Sequence, residues 1–178
     1  SQLANLSSAA WSRVSTTSVS TLSPTKIASL RADAWANWLA SQVRVLTPIQ
    51  MQALTSTQLA GWSSTQLQAM GNTQWQALTL LQRQNLSATQ ISAFTPSQVA
   101  TWSSSTLSEL TPTQWAGLGT AQIAAMRTDQ VNAFTASQWQ SWTRSQIAAL
   151  TPTQISALTP SNLAQWSTVQ LGALNAAQ

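Results

Sequence analysis

The chain repeats an eight-residue pattern of apolar and polar positions over almost its entire length of 178 residues. We number the places of this octad from one to eight. Thr or Ser occupies place one, Gln place four, apolar residues places five and eight, and mostly Ala place seven, as in the run from Thr151 to Leu158. A repeat this short is typical of an array whose units are stable only when they stack on their neighbours.

Each octad carries three signals for the start of a short helix. Thr or Ser at place one is a favourable N-cap residue, and Pro at place two is compatible with the first helical position. Gln at place four completes a capping box, in which its side chain accepts a hydrogen bond from the N–H of the cap residue. All Pro residues of the chain stand at place two: Pro24, Pro48, Pro96, Pro112, Pro152 and Pro160.

These signals predict an all-α solenoid, or superhelix, of very short helices with one helix per octad. A single continuous helix is excluded because the repeated Pro residues would break it. Helices this short are unstable alone, so each needs neighbours. A β-solenoid of the same octads is the architectural alternative.

The repeat is less regular at the start of the chain. Residues 1–46 are predicted to be diverged repeats and residues 47–178 regular octads, together forming one continuous repeat domain. In the four octads before Gln42, place four holds other residues. Neither end carries a polar capping repeat, which indicates a segment of a longer array or ends that stack on each other. The residues in place of Gln are Ala10, Ser18, Lys26 and Ala34.

The ten Trp residues occupy only places five and eight. Each Trp at place five has a Trp at place eight 27 residues later, three octads along the chain. This spacing predicts about three octads per coil, with paired indoles in the core. Duplication of a 40-residue block is an alternative origin for some pairs, and an exposed sugar- or membrane-binding face is the alternative to a core. The predicted pairs are Trp11–Trp38, Trp35–Trp62, Trp75–Trp102, Trp115–Trp142 and Trp139–Trp166.

The composition limits the classes of partner that the chain is expected to bind. Only 6% of the residues are charged, and the net charge of +4 comes from seven basic residues scattered over different octad places. Because nucleic-acid binding needs clustered Lys and Arg, we expect no nucleic-acid partner. No apolar run approaches the roughly 18 residues of a membrane span, so we expect no membrane insertion. No signal peptide is visible at the N-terminus.

The residue types of most catalytic sites are missing. The chain has no Cys, His or Tyr, and its acids are Asp33, Glu109 and Asp129. No nucleophile–base set and no metal-ligand cluster can be assembled from them. We therefore expect no enzymatic activity, no cofactor, no metal and no small-molecule substrate.

One octad, residues 79–86, departs from the pattern and is a possible contact site. It places Arg83 at a core position and Leu80 and Leu81 at positions that should face solvent. The functional interpretation is a lateral contact or a ligand site. The structural interpretation is local repacking, with the head of Arg83 reaching water past its buried stem.

The phrase LTPTQISAL, residues 150–158, resembles the tandem LTxxQ(I/V)xAL-type arrays of some very large bacterial proteins. Those arrays are often described as surface or adhesin-like. The resemblance covers the whole chain and is most specific from Thr47 onward. It implies an extracellular or cell-surface location and assigns no functional residues.

We therefore predict a non-catalytic structural protein: a filament subunit, a stalk or a spacer. Its expected partner is itself, through end-to-end or lateral association, because self-similar faces favour contacts that do not close. The first alternative is a ligand-presenting surface for ice binding or adhesion, built from Thr at places one and three, as in Thr55 and Thr57. The second is a protein- or peptide-binding groove along the solenoid.

Overall fold

The computed structural model describes residues 8–178, which form short α-helices and contain no strand. The predicted all-α class is confirmed, and the β-solenoid alternative is wrong for this part of the chain. Each helix lies within one octad. The helices are α1 Ser8–Trp11, α2 Thr16–Ser20, α3 Pro24–Ser29, α4 Ala32–Trp35, α5 Ala40–Arg44, α6 Pro48–Ala53, α7 Ser56–Ala60, α8 Ser64–Ala69, α9 Asn72–Ala77, α10 Leu80–Gln84, α11 Ala88–Ala93, α12 Pro96–Thr101, α13 Ser104–Ser108, α14 Pro112–Ala116, α15 Thr120–Ala124, α16 Thr128–Asn132, α17 Ala136–Gln140, α18 Arg144–Ala148, α19 Pro152–Ser156, α20 Pro160–Leu163 and α21 Thr168–Leu171.

The helices begin where the capping signals predict. Thr47 precedes α6 with extended backbone, and its side chain accepts from the N–H of Gln50. Pro48 then occupies the first turn, where its missing N–H costs no hydrogen bond. Leu39, which has no side-chain oxygen, also stands at a cap position, yet its N–H still donates to Gln42. The Gln half of the capping box therefore persists even where the hydroxyl half is lost.

The chain divides into two compact units, Ser1–Ala93 and Phe94–Gln178. Within each unit a helix packs against the helix three positions later in the chain. In the first unit α3 packs on α6 and α5 on α8; in the second, α12 packs on α15 and α13 on α16. Three consecutive octads therefore make one coil of the solenoid, which is the number that the Trp spacing predicts.

Places five and eight form the core of each unit. The place-five side chains of Ile27, Ile91 and Val131 are fully buried, and place eight is nearly so, as at Leu110 and Leu150. Place three points outward in every described octad from α3 to α21. The buried and exposed positions of the eight-residue repeat thus fall on opposite sides of most helices, such as α6 and α14.

Candidate functional site

Gln58 shows how the place-four side chain is held between two coils. Its Oε1 accepts from the backbone N–H of Thr55 at 2.8 Å, while Thr55 Oγ1 accepts from the N–H of Gln58 at 3.2 Å. Its Nε2 donates to the carbonyl oxygen of Ile27 at 3.0 Å and to that of Leu30 at 2.6 Å, 31 and 28 residues earlier. One amide therefore caps its own helix and ties that helix to the preceding coil.

The same arrangement recurs along both units, and we call these residues the glutamine ladder. In each of them Oε1 accepts from the N–H three residues earlier. Nε2 donates to a carbonyl 28 residues earlier. The ladder consists of Gln42, Gln50, Gln58, Gln66, Gln74, Gln82, Gln90, Gln122, Gln130, Gln138, Gln146, Gln154, Gln170 and Gln178.

The ladder explains why place four holds Gln and never Glu. Both residues can accept from the cap N–H, so a capping box tolerates either. Only the Gln amide also carries N–H donors, since ionised Glu is an acceptor alone. Sequence analysis predicted the cap and missed the donor, although the choice of Gln was the signal. The one Glu of the chain, Glu109, stands at place seven.

The ladder is buried as deeply as the apolar core. Gln130 is 0% exposed, and Gln58 and Gln138 are 2% exposed. A buried amide without partners would cost about 1–3 kcal/mol, whereas a satisfied hydrogen bond contributes about 1 kcal/mol net. The amide therefore fits this position only when the preceding coil supplies its carbonyls. Its polar atoms are used inside the protein and are closed to an external ligand.

Asn162 takes place four in α20 and shows how the chain adapts to a shorter side chain. Its Nδ2 donates to the carbonyl of Asn132 at 3.2 Å, 30 residues earlier. The side chain of Asn132 supplies what Asn162 cannot reach, because its Oδ1 accepts from the N–H of Thr159 at 3.2 Å. Asn132 Nδ2 also donates to the carbonyl of Ala157 at 2.8 Å. A second amide thus compensates for the missing methylene.

The structure brings four of the expected Trp pairs together. The fifth pair, Trp75 and Trp102, has one member in each compact unit, so its expected contact stays a prediction. Additional ring contacts join the pairs sideways, as at Trp35 and Trp38, whose centroids lie 4.1 Å apart. The centroid distances are 5.4 Å for Trp11–Trp38, 5.8 Å for Trp35–Trp62, 6.1 Å for Trp115–Trp142 and 5.2 Å for Trp139–Trp166.

All ten Trp side chains are buried, and the most exposed, Trp166, is 6% accessible. The structure leaves no indole on the surface, so the alternative of an exposed Trp face is wrong. These side chains fill the core as large rings, and several of their indole N–H groups make no hydrogen bond among the described residues. They belong to Trp35, Trp38, Trp62, Trp115, Trp139, Trp142 and Trp166.

The possible contact site at α10 separates into an outer and an inner part. Leu80 and Leu81 face solvent, with 46% and 67% of their surface exposed. Arg83 points the other way: it is 8% exposed, and its Nη1 donates to the carbonyl of Leu78. A backbone carbonyl inside the protein therefore accepts from one N–H of the guanidinium, in place of water. A role for the two leucines in a contact stays a prediction.

One polar cluster on the surface of the second unit joins α13 to α16. Asp129 accepts from Arg127 Nε and Nη2, both at 2.9 Å, and from Ser104 Oγ at 2.7 Å. The hydrogen bonds from Arg127 and then Ser104 hold the pKa of the Asp129 carboxyl below its usual range. Arg127 Nη1 also donates to the carbonyl of Ala100. Each group has a partner within the fold, so the cluster links α13 to α16 at the surface.

Residues 8–178 contain neither a candidate metal site nor a helix that could span a membrane. Within that range no three His, Cys, Asp or Glu side chains come together in a way that could hold a metal ion. None of the helices described there has both the length and the apolar character needed to cross a bilayer.

The sequence was compared with known proteins. Residues 103–136 match the family model of the ALTTAQ repeat. The chain is a repeat-containing protein. The match covers part of the chain and gives the kind of repeat, whereas the adhesin-like resemblance has no further support from it. A search of curated proteins found no match.

Proposed function

We propose that the protein is a non-catalytic structural element, a stalk or spacer whose length is set by the number of stacked octads. The observation that carries this proposal is the glutamine ladder. Gln at place four, the most regular polar side chain of the repeat, is directed inward and joined to the preceding coil. The exposed hydroxyls of place one are used as helix caps.

The exposed positions support the same function. Place three is occupied by small or hydroxyl side chains in most octads, such as Thr57, Ser97 and Ser137, all of them exposed. Such side chains keep the surface soluble without creating a charged patch. In line with the resemblance to bacterial surface arrays, we place the protein outside the cell or at its surface. Protease shaving of intact cells tests that location, and a chain cut only after lysis would contradict it.

The experiment for a spacer function is deletion within the repeat. Removal of residues 47–70 takes out 24 residues, or three whole octads, and leaves places five and eight in phase. We expect the shortened protein to fold and its longest dimension by small-angle scattering to fall by about 9 Å, one helix–helix spacing. Removal of residues 47–66 is the control, since it breaks the octad phase and should unfold the first unit. Equal folding of both variants would contradict the proposal.

A filament subunit is the alternative that this experiment leaves open. Electron microscopy over a concentration series separates the two functions. Particles of one size at all concentrations support the stalk or spacer. Fibres that lengthen with concentration would favour the filament.

Ice binding has weaker support, because the place-one hydroxyls are already engaged. Thr55 Oγ1 accepts from the N–H of Gln58, and Thr143 Oγ1 donates to Gln146 Oε1 at 3.1 Å. Hydroxyls held as helix caps are poorly available for an ordered water layer. Thermal hysteresis in a solution of the pure protein would be the result in favour of ice binding.

A further inference from the structure

We propose that Asn85 carries a covalently attached sugar, N-linked through its side-chain amide, and that this sugar covers the exposed side chain of Leu81. The inference concerns one modification site in the first unit. It does not depend on the stalk or spacer function.

Residues 85–87 have the acceptor sequence for N-glycosylation, in which one residue other than Pro separates Asn from Ser or Thr. Asn85 stands at place seven of its octad, and Ser87 is place one of the next. Asn37 also stands at place seven, but Leu39 follows it where the hydroxyl is needed. The complete sequence therefore occurs once between residues 8 and 178. A second copy, residues 5–7, lies outside the described residues.

The fold leaves the side chain of Asn85 at the surface, directly after α10. The residue is exposed and has the helical backbone of a C-cap, with φ of −85° and ψ of −7°. Its Nδ2 donates to the carbonyl oxygen of Leu81 at 2.7 Å. A sugar is bulky and belongs on the surface of a protein. The position of Asn85 therefore accommodates the product of the modification.

The neighbouring apolar side chains indicate what the sugar covers. Leu81 lies four residues before Asn85, on the same side of α10, and it is 67% exposed. Leu80 is 46% exposed, and no other two consecutive large apolar residues are exposed in the part of the chain that the structure describes. Because the C–H face of a sugar ring is apolar, a ring bonded to Nδ2 can pack on Leu81 and remove part of it from water.

The hydroxyl of the acceptor sequence is engaged once the protein has folded. Ser87 Oγ accepts from the N–H of Gln90 at 3.1 Å, and the N–H of Ser87 donates to Gln90 Oε1 at 3.0 Å. Leu86, between the two acceptor residues, is 3% exposed. A transferase has to reach both Asn85 and Ser87, so the sugar is attached before the cap of α11 forms. Only the Asn85 side chain then stays at the surface.

The step is a substitution at the anomeric carbon of a sugar. The donor is a sugar activated as the diphosphate ester of a nucleotide or a lipid, held by a glycosyltransferase. Nδ2 of Asn85 forms a bond to the anomeric carbon, while the bond from that carbon to the diphosphate oxygen breaks and its electron pair leaves with the diphosphate. Nδ2 gives one proton to a base of the transferase. The amide keeps one N–H, the number that its hydrogen bond to Leu81 uses.

The test is a peptide map of the full protein isolated from its own cells. Trypsin cuts after Arg83 and Arg127 and releases residues 84–127, in which Asn85 is the single Asn. We expect this peptide to carry the mass of a sugar, and fragmentation to place the sugar on Asn85. A single sugar would identify a nucleotide-activated donor, and a preassembled oligosaccharide would identify a lipid-linked donor. Either composition supports the proposal.

Two variants of Ser87 made in the same cells are matched controls. Ser87→Asp keeps an oxygen that caps α11 but lacks the hydroxyl, so we expect complete loss of the sugar from a protein that still folds. Ser87→Thr keeps both the cap and the hydroxyl and should retain the sugar. The peptide of residues 32–44, which contains Asn37, should carry none. Nuclear Overhauser contacts between the first sugar ring and the methyl groups of Leu81 are expected in the modified protein.

Three results would overturn the proposal. The first is a peptide of residues 84–127 that carries no sugar in the native protein. The second is a sugar on this peptide that persists in Ser87→Asp or in Asn85→Gln, which would mean attachment to another side chain. The third is a sugar on Asn85 without contact to Leu81, which would remove the role as a cover. The deletion experiment for the spacer function has a separate readout, so either idea can fail without the other.

Discussion

Helices α1–α4 and α5–α8 in the first unit bury the same apolar positions but bond differently to what precedes them. Place five is at most 1% exposed in both groups, as at Ile27 and Leu59. Place four differs: Ser18 is exposed and Lys26 half-buried, whereas Gln50 is 2% exposed. The first four helices take part in the ladder only through their carbonyls, which accept from the amides of α5–α8. The helices α5–α8 contribute the amide donors.

The largest effect should come from placing a carboxylate in the ladder. Gln58→Glu removes the donor to Ile27 and Leu30 and sets a negative charge against their carbonyl oxygens. We expect a loss of about 3–5 kcal/mol in the free energy of unfolding, typical of an unpaired buried charge. Urea titration at neutral pH measures it.

This substitution has a pH signature and a matched control. The buried carboxyl should have a raised pKa, so the stability lost at neutral pH should return in part as the pH falls and the group becomes protonated. Lys26→Glu makes the same residue at place four of α3, where no amide is used, and should change stability by less than about 1 kcal/mol. Equal losses in the two variants would erase the distinction between the two groups of helices.

Replacing a Trp by a smaller side chain should cost the same in the first four helices as in a ladder coil of the second unit. Trp35→Leu, in α4, and Trp139→Leu, in the second unit, both remove a fully buried ring that contacts other rings. We expect each to lower the unfolding free energy by about 2–3 kcal/mol, since both leave a partly collapsed cavity. Thermal and urea unfolding of the two variants check this. A much smaller loss at Trp35 would show that the first helices are less well packed than the ladder region.

Removal of a cap hydroxyl should have a smaller effect, again of similar size in both groups. Ser23 Oγ and Thr55 Oγ1 each accept from the N–H three residues later at 3.2 Å. We expect Ser23→Ala and Thr55→Ala to cost about 1 kcal/mol each. Denaturant midpoints measure the loss, with Ser23→Thr and Thr55→Ser as controls that keep the hydroxyl. If only Thr55→Ala were destabilising, the cap hydroxyls of α1–α4 would contribute little to stability.

The smallest effect belongs to the surface link at Asp129. Its lowered pKa means that the carboxylate stabilises the fold above its ordinary pKa near 4, and that this contribution is lost as the pH falls through the folded-state pKa. Asp129→Asn should therefore flatten the fall in stability between pH 5 and pH 2. We expect a change of at most about 1 kcal/mol, because solvent screens an exposed pair. A flattening as large as the effect of Gln58→Glu would mean that surface links matter as much as the ladder.

Local sequence signals were sufficient for the elements and the coil. Thr47, Pro48 and Gln50 specify where α6 begins through hydrogen bonds within four residues of each other. The spacing of Trp35 and Trp62 gave the number of octads per coil, because rings at places five and eight recur at the separation at which successive coils touch. These predictions rest on short-range geometry and on the eight-residue period, which is visible in the sequence.

The second role of Gln and the position of Arg83 depended on the tertiary structure. A hydrogen bond between Gln58 and Leu30 joins residues 28 apart, and a capping box by itself is complete without it. The hydrogen bond from Arg83 to the carbonyl of Leu78, five residues earlier, depends on how α9 and α10 meet, and the octad pattern gives no sign of it. By itself the sequence determined the helices, their caps and their apolar faces, since these follow from neighbouring residues. Which carbonyl each ladder amide meets was decided only by the packing of one coil on another.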